Sequence, residues 1–103
     1  MSQVVELPAF TLKKGVREQD FRVAHEKFNR EFMKKHPAYV SHKLLRNGES
    51  WFDLVIWKSE EGKNQAFKDI YDYPGIADYM SFIDQDGTDD DIPIFSVVRD
   101  YEV

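Results

Sequence analysis

The sequence predicts an α+β domain with the ferredoxin-like order β-α-β-β-α-β, a four-stranded antiparallel sheet with two helices on one face. Two stretches with a helical period alternate with stretches of strand-like composition. The pair Asn47-Gly48 between two strand-like stretches is a strong hairpin signal. A chain of 103 residues is the size of one domain. We therefore expect residues 1–103 to form a single domain of this class.

The first strand and the first helix are predicted near the start of the chain. Residues 4–14 are strand-like, and Pro8 predicts a bulge or a late start there because proline cannot donate a ladder hydrogen bond. Residues 17–36 have a helical period that ends before Pro37. The predicted inner face of this helix consists of Phe21, Ala24, His25, Phe28 and Phe32. Met33 is predicted to lie away from this face.

The hairpin is predicted to join a strand over residues 38–46 to a strand over 49–58. A two-residue turn at Asn47-Gly48 pairs Arg46 with Glu49, and that register places His42 opposite Asp53. Side chains alternate along a strand, so the second strand has two largely apolar sides. One side holds Trp51, Asp53, Val55 and Trp57, and the other holds Phe52, Leu54 and Ile56.

The second half of the chain is predicted to supply a helix and the last strand. Ser59 is a suitable N-cap, and the helix after it turns Ala66, Ile70 and Tyr73 inward. Pro74-Gly75 interrupts this helix, which resumes over 76–83. Residues 84–91 form an acidic loop that lacks the ligand spacing of a calcium-binding EF-hand, so no metal site is expected. Residues 92–103 form the last strand.

Composition excludes several classes of function. The net charge of −5 disfavours a surface for nucleic acid or anionic membranes, since phosphate binding needs a basic face. The absence of cysteine excludes disulfides, zinc–thiolate sites and thiol catalysis. The N-terminal segment does not have the pattern of a signal peptide, and no apolar stretch is long enough to span a membrane. We therefore expect a cytoplasmic protein.

Two helices can cover only one face of the predicted sheet. The other face would still present an apolar set, either Phe52-Leu54-Ile56 or Trp51-Val55-Trp57. An exposed apolar patch of that breadth is typical of an interface. The sequence therefore predicts a homodimer that packs sheet on sheet.

Together with this strand order, two motifs carry a resemblance to a known family. They are "WKSEEG" at 57–62, a tryptophan at a strand end followed by a helix start, and "HPAYVSHKLL" at 36–45. Over its whole length the chain resembles the dimeric α+β barrel superfamily, in particular its antibiotic-biosynthesis-monooxygenase-like (ABM) branch. The resemblance implies a barrel of two paired sheets and a small cavity between the helices and the sheet of each subunit. It also implies that Trp57 points into that cavity.

The candidate catalytic residues are His42, Asp53 and His25. If Trp57 faces the cavity, the register brings His42 and Asp53 to the same side, and His25 arrives from the first helix. A carboxylate beside an imidazole is the arrangement of an oriented general base. The alternative is a structural cross-strand pair and a core histidine. The candidate ligand contacts are Trp57, Trp51, Val55, Phe28, Tyr73 and Tyr79.

Three functions are compatible with the resemblance. The first is a cofactor-independent monooxygenase that acts on an aromatic or polyketide-like substrate. The second is a non-catalytic, stress-related or ligand-binding dimer with a small aromatic ligand. The third is a haem-degrading monooxygenase, which the residues disfavour: the positions of its asparagine and its iron-binding histidine fall near Pro8 and Met80, and no histidine follows His42. We therefore expect no cofactor.

Overall fold

The computed structural model describes residues 2–85 and 91–101. It confirms an α+β fold with an antiparallel sheet. Among the described residues this sheet has six strands instead of the predicted four, since the first predicted strand is divided and residues 83–85 add a strand that was not predicted. The strands are β1 Val4–Glu6, β2 Ala9–Leu12, β3 Tyr39–Asn47, β4 Ser50–Trp57, β5 Ile83–Gln85 and β6 Ile94–Ser96. The helices are α1 Glu18–Phe28, α2 Glu60–Asp69 and α3 Ile76–Met80. Most of the predicted acidic loop, residues 86–90, lies outside the described residues.

Strand β4 is the centre of the sheet. It pairs with β3 on one side and with both β1 and β2 on the other. Next to these, β6 pairs with β1, and β5 pairs with β2. Pro8 divides the predicted first strand into β1 and β2, because a proline cannot continue the ladder as a donor. Its carbonyl instead accepts a hydrogen bond from the backbone N–H of Asp53 at 3.1 Å. The proline therefore lies directly beside a candidate site residue.

The predicted register of the hairpin is wrong by two residues. Asn47 pairs with Ser50, so the turn is formed by Gly48 and Glu49, and Gly48 takes a φ of 63°. Glycine adopts this left-handed region without strain, which allows Asn47 to remain in β3. His42 consequently lies opposite Val55, and Asp53 is its diagonal neighbour. Because side chains alternate with a period of two, this even shift leaves His42 and Asp53 on their predicted face. The pairing is irregular only at the start of β3, between Tyr39 and Ser41.

The first helix ends in a wider turn that the sequence did not predict. After Phe28 the chain forms a π-helical turn over Asn29–Met33, which closes when the N–H of Lys34 donates to the carbonyl of Asn29 at 2.8 Å. This wider turn shifts the inner face by one residue. Met33 is therefore buried, although the regular helical period placed it outside. Such turns are frequent at functional sites.

The second helix begins as predicted, but its continuation does not. The hydroxyl of Ser59 accepts a hydrogen bond from the N–H of Gly62 at 3.0 Å, which caps α2. The predicted helix over 76–83 ends at Met80, because Ile83 instead begins β5 opposite Leu12. The edge of β2 would otherwise leave backbone groups unpaired. The last strand is also shorter than predicted, since only Ile94–Ser96 pairs with β1.

The helices cover the face of the sheet that carries Trp51, Asp53, Val55 and Trp57. The opposite face presents Phe52, Leu54 and Ile56, which are half-buried. The pairing of the strands brings Val5 beside Ile56, and Phe95 beside Val5. This apolar set on β1, β4 and β6 is called the outer face below. In the described part of the chain no helix has the length and apolar character needed to cross a membrane.

Candidate active site

A cluster of three side chains forms where α1 faces the hairpin. Oδ1 of Asp53 lies 2.7 Å from Nε2 of His25 and 2.8 Å from Nε2 of His42. The two imidazole ring centroids are 4.8 Å apart. All three candidate catalytic residues therefore meet on one carboxylate oxygen. We call His25, His42 and Asp53 the His–Asp–His cluster.

Each member of the cluster comes from a different element. The alternation along β4 turns Asp53 inward, and its diagonal position lets His42 of β3 reach it. His25 lies one turn after Phe21 and one turn before Phe28 on the buried face of α1. Helical and strand periodicity thus brings two imidazoles to one carboxylate, although the residues are up to 28 positions apart in sequence.

Asn29 holds the second nitrogen of His42. Its side-chain oxygen lies 2.9 Å from Nδ1 of His42. The ring of His42 is therefore held with Nδ1 toward Asn29 and Nε2 toward Asp53. The sequence analysis missed Asn29, although its position four residues after His25 placed it on the same helical face.

The charge on Asp53 is stabilised within the protein. Burial by itself would raise the pKa of this carboxyl group, but hydrogen bonds from His25 and His42 outweigh burial and lower it below its usual value. The group is therefore a carboxylate at neutral pH. A carboxylate in this position orients both imidazoles and stabilises a proton on either one.

A cavity of about 160 Å³ adjoins the cluster between the sheet and the helices. His42 and Asp53 belong to its described lining, whereas His25 reaches Asp53 from the far side of the carboxylate. Of the predicted ligand contacts, Trp57, Val55, Phe28 and Tyr79 also line it. The rest of the wall is largely apolar, so the cavity has the character of a site for a small organic molecule.

Two predicted ligand contacts lie outside the lining. Trp51 packs against Phe21 at 5.3 Å between ring centroids, and the guanidinium of Arg46 lies over its indole at 5.3 Å. Tyr73 is directed to the π-helical turn after α1, where its hydroxyl donates to Glu31 at 2.7 Å. Both residues lie too far along the chain from the centre of the cavity. Trp51 is near the start of β4, and Tyr73 comes after the end of the second helix.

The sequence analysis also missed Glu6, a second buried carboxyl group in the lining. Oε1 of Glu6 accepts a hydrogen bond from the indole Nε1–H of Trp57 at 2.8 Å. Its side chain is on the inner face of β1 because Glu6 pairs with Val55. The signal in the sequence was a charge at an inward position of a strand, which is unusual without a buried partner.

The hydroxyl of Tyr79 is buried without a hydrogen-bond partner among the described residues. Burial raises the pKa of this phenol well above its ordinary value, and the nearby negative charge of Asp53 adds to the effect. Tyr79 therefore keeps its proton at neutral pH. An unused donor in the wall of a cavity is a group that a ligand oxygen can satisfy.

The His–Asp–His cluster also has the composition of a metal site. Its candidate donor atoms all lie within 4.8 Å of one another. Two imidazoles and one carboxylate suit a divalent transition metal. Each imidazole, however, bonds the carboxylate directly, which is the geometry of a hydrogen-bonded proton-transfer cluster. The two roles make opposite predictions about the effect of a chelator.

Solved structures share this fold. The cofactor-independent oxygenase SnoaB from Streptomyces nogalater is 16% identical, with a TM-score of 0.72 and 97% of each chain covered. A protein from Bordetella bronchiseptica, named as a proposed antibiotic biosynthesis monooxygenase, is 14% identical, with a TM-score of 0.68. That match covers 98% of this chain and 100% of the other. No family model and no curated protein matches the sequence. The similarity confirms the predicted ABM-like fold.

Proposed function

We propose that this ABM-like fold houses a cofactor-independent monooxygenase whose substrate is a small aromatic molecule bound in the helix–sheet cavity. The convergence of His25 and His42 on Asp53 at the cavity wall carries the proposal. A buried base beside an apolar cavity is the minimum that oxygen activation by substrate deprotonation requires. The name of SnoaB as a cofactor-independent oxygenase is consistent with this chemistry.

The chemistry begins when the cluster removes a proton from a hydroxyaromatic substrate or its keto tautomer. The resulting carbanion transfers an electron to O₂, and recombination of the two radicals forms a peroxide on the substrate carbon. Loss of water from the peroxide then converts a CH₂ group to a carbonyl. One oxygen atom is retained and the other leaves in water, so the substrate itself supplies all of the electrons.

The proton acceptor is the cluster as a unit. Both imidazoles contact Oδ1 of Asp53. A proton taken from the substrate is therefore shared among the three groups, which titrate together. Asn29 is a positioning residue, because its bond to Nδ1 fixes the ring of His42. Tyr79 donates a hydrogen bond to the oxyanion that forms as the substrate loses its proton.

Oxygen consumption with hydroquinones and anthrone-type substrates tests the proposal. His42→Ala and Asp53→Asn are expected to lower kcat/KM at least about a hundredfold, the usual contribution of a general base. Asp69→Asn is the matched control, since Asp69 also bonds a histidine, His36, but at the surface. Equal turnover by the wild type and His42→Ala would overturn the assignment.

A chelator distinguishes proton transfer from metal catalysis in the same cluster. The proposed mechanism uses no ion, so prolonged treatment with EDTA is expected to leave oxygen consumption unchanged. Loss of turnover in EDTA, with recovery on addition of Fe²⁺ or Mn²⁺, would show instead that the two imidazoles and the carboxylate hold a metal.

A second candidate is a binding protein without turnover. Its support is that every nitrogen of His42 already has a protein partner, as in a structural network. This function predicts that aromatic ligands raise the thermal stability while no oxygen is consumed. The same assay therefore decides between the two candidates.

A homodimer through the outer face forms part of the proposal. Phe52, Leu54 and Ile56 form an apolar stripe on the central strand, and the described helices all lie on the other side of the sheet. A second copy that packs sheet on sheet would bury this stripe. The experiment that tests the dimer is given below.

A further inference from the structure

The size of the cavity limits its ligand. A volume of about 160 Å³ is close to that of a protein cavity known to take benzene, about 150 Å³. The wall offers little room for expansion, because Val55, Trp57 and Ala66 are among the most buried residues. A single aromatic ring with short substituents therefore fits, whereas a fused three-ring system needs more space.

The charges in the wall limit the ligand further. Glu6 and Asp53 are the acidic side chains of the described lining, and no lysine or arginine belongs to it. Lys63 does not belong to the lining, although its ammonium lies 5.3 Å from the ring centroid of Phe67, which does. The imidazole of His42 is already paired with Asp53. A ligand carboxylate would thus lie beside two acidic side chains, with no lysine or arginine in the lining to pair with it.

The free hydrogen-bonding groups specify what the ligand carries. The hydroxyl of Tyr79 is an unused donor in the lining. Both imidazole bonds to Asp53 end on Oδ1, so neither imidazole occupies its second oxygen. A phenolic hydroxyl satisfies both groups, because it accepts one hydrogen bond and donates another.

We propose that the cavity selects a single-ring phenol without a carboxylate, with the phenol oxygen placed between Tyr79 and Asp53. The inference rests on the proposed function for the identity of the site and adds the class of substrate. The volume of the cavity disfavours larger aromatic polyketides, and its charge disfavours aromatic acids.

Calorimetric titration with phenols of matched size tests this selectivity. The probes are 4-ethylphenol, which is neutral, 4-hydroxyphenylacetate, which is anionic, and anthrone, which has three fused rings. We expect 4-ethylphenol to bind at least about tenfold more tightly than either of the others. Equal or tighter binding of 4-hydroxyphenylacetate or anthrone would overturn the proposal.

Two variants link the selectivity to named residues. Glu6→Gln removes one negative charge. It is expected to reduce several-fold the ratio of the affinities for 4-ethylphenol and 4-hydroxyphenylacetate. Tyr79→Phe is expected to weaken the binding of 4-ethylphenol several-fold, whereas ethylbenzene should bind to it as tightly as to the wild type. Unchanged ratios in both variants, with circular dichroism spectra of the folded protein, would contradict the assigned contacts.

Binding and turnover fail independently in this design. Selective binding of 4-ethylphenol without oxygen consumption by any phenol or hydroquinone would reject the monooxygenase and keep the selectivity. Oxygen consumption with anthrone, together with no binding of 4-ethylphenol, would reject the selectivity and keep the monooxygenase.

Discussion

Asp53 is the residue on which the candidate site depends, because both imidazoles bond to one of its oxygens. Alternation along β4 already placed Asp53 on the same face as Trp57, and the resemblance implied that this face looks into the cavity. The distances were not predictable from the sequence, since they depend on where α1 lies above the hairpin. The predicted pair His42–Asp53 is in contact, but through a diagonal and with His25 as a third member.

Asp53→Asn is expected to lower the free energy of unfolding at pH 7 by about 2 kcal/mol, the scale of hydrogen bonds to a charged group. The folded pKa of Asp53 lies below the unfolded value of 3.8, so its contribution is present above about pH 4 and is lost as the pH falls through the folded pKa. The difference in the free energy of unfolding between wild type and variant should therefore decrease as the pH is lowered from 5 to 3, as measured in denaturant titrations. A difference that stays constant over that range would show that folding does not lower the pKa of Asp53.

Tyr79→Phe should stabilise the ligand-free protein. The substitution removes a buried hydroxyl without a partner among the described residues, and such a group costs about 1–3 kcal/mol. We expect an increase of about 1 kcal/mol in the free energy of unfolding, measured by denaturant titration. Tyr73→Phe is the matched control. It should not increase the free energy of unfolding, because the hydroxyl of Tyr73 already donates to Glu31. Destabilisation by Tyr79→Phe would mean that the hydroxyl has a partner in the folded protein.

At the scale of elements, the start of each helix was more predictable than its end. Ser59 caps α2 through a contact three residues away, which is a local signal. The π-helical turn at Asn29–Met33 and the strand at Ile83 depend on distant partners. Asn29 begins that turn, and its position four residues after His25 had already placed it on the same helical face.

Gly62→Ala tests how closely α2 approaches the chain before β3. A glycine-to-alanine change inside a helix normally adds up to about 1 kcal/mol of stability. Here a Cβ on Gly62 would lie 2.5 Å from the Cβ of Ala38. We therefore expect a loss of about 1–3 kcal/mol, measured by denaturant titration.

Ala38→Gly provides the compensating change for that contact. The double variant Gly62→Ala with Ala38→Gly should recover part of the stability lost by Gly62→Ala, because it removes the opposing methyl group. A single variant Gly62→Ala that is more stable than the wild type would show that the two segments separate at no cost.

At the scale of the whole molecule, the outer face predicts the state of assembly. Leu54 lies in the middle of the stripe, between Phe52 and Ile56. Leu54→Lys would place a charge in a buried sheet-on-sheet interface, at a cost of roughly 3 kcal/mol or more. Sedimentation should therefore find a dimer for the wild type and a 12.2 kDa particle for the variant.

Val23→Lys is the control for the assembly experiment. Val23 is an apolar residue of α1 with 64% of its surface exposed, away from the sheet. This variant should remain dimeric at the same micromolar concentration. A folded wild-type monomer at that concentration would reject the dimer, although the cavity and the cluster within one chain would be unaffected.

The sequence by itself determined the class of fold, the order of the predicted elements and the fact that His42 and Asp53 share a face with Trp57. These properties follow from local periodicity, from a proline in the first strand and from a glycine turn, which act within a few residues. Only the tertiary structure decided that two imidazoles share one oxygen, that Asn29 fixes His42 and that Glu6 lies in the same wall. The physical reason is that hydrogen bonds require atomic distances between elements, and those distances are set by how the helices pack on the sheet.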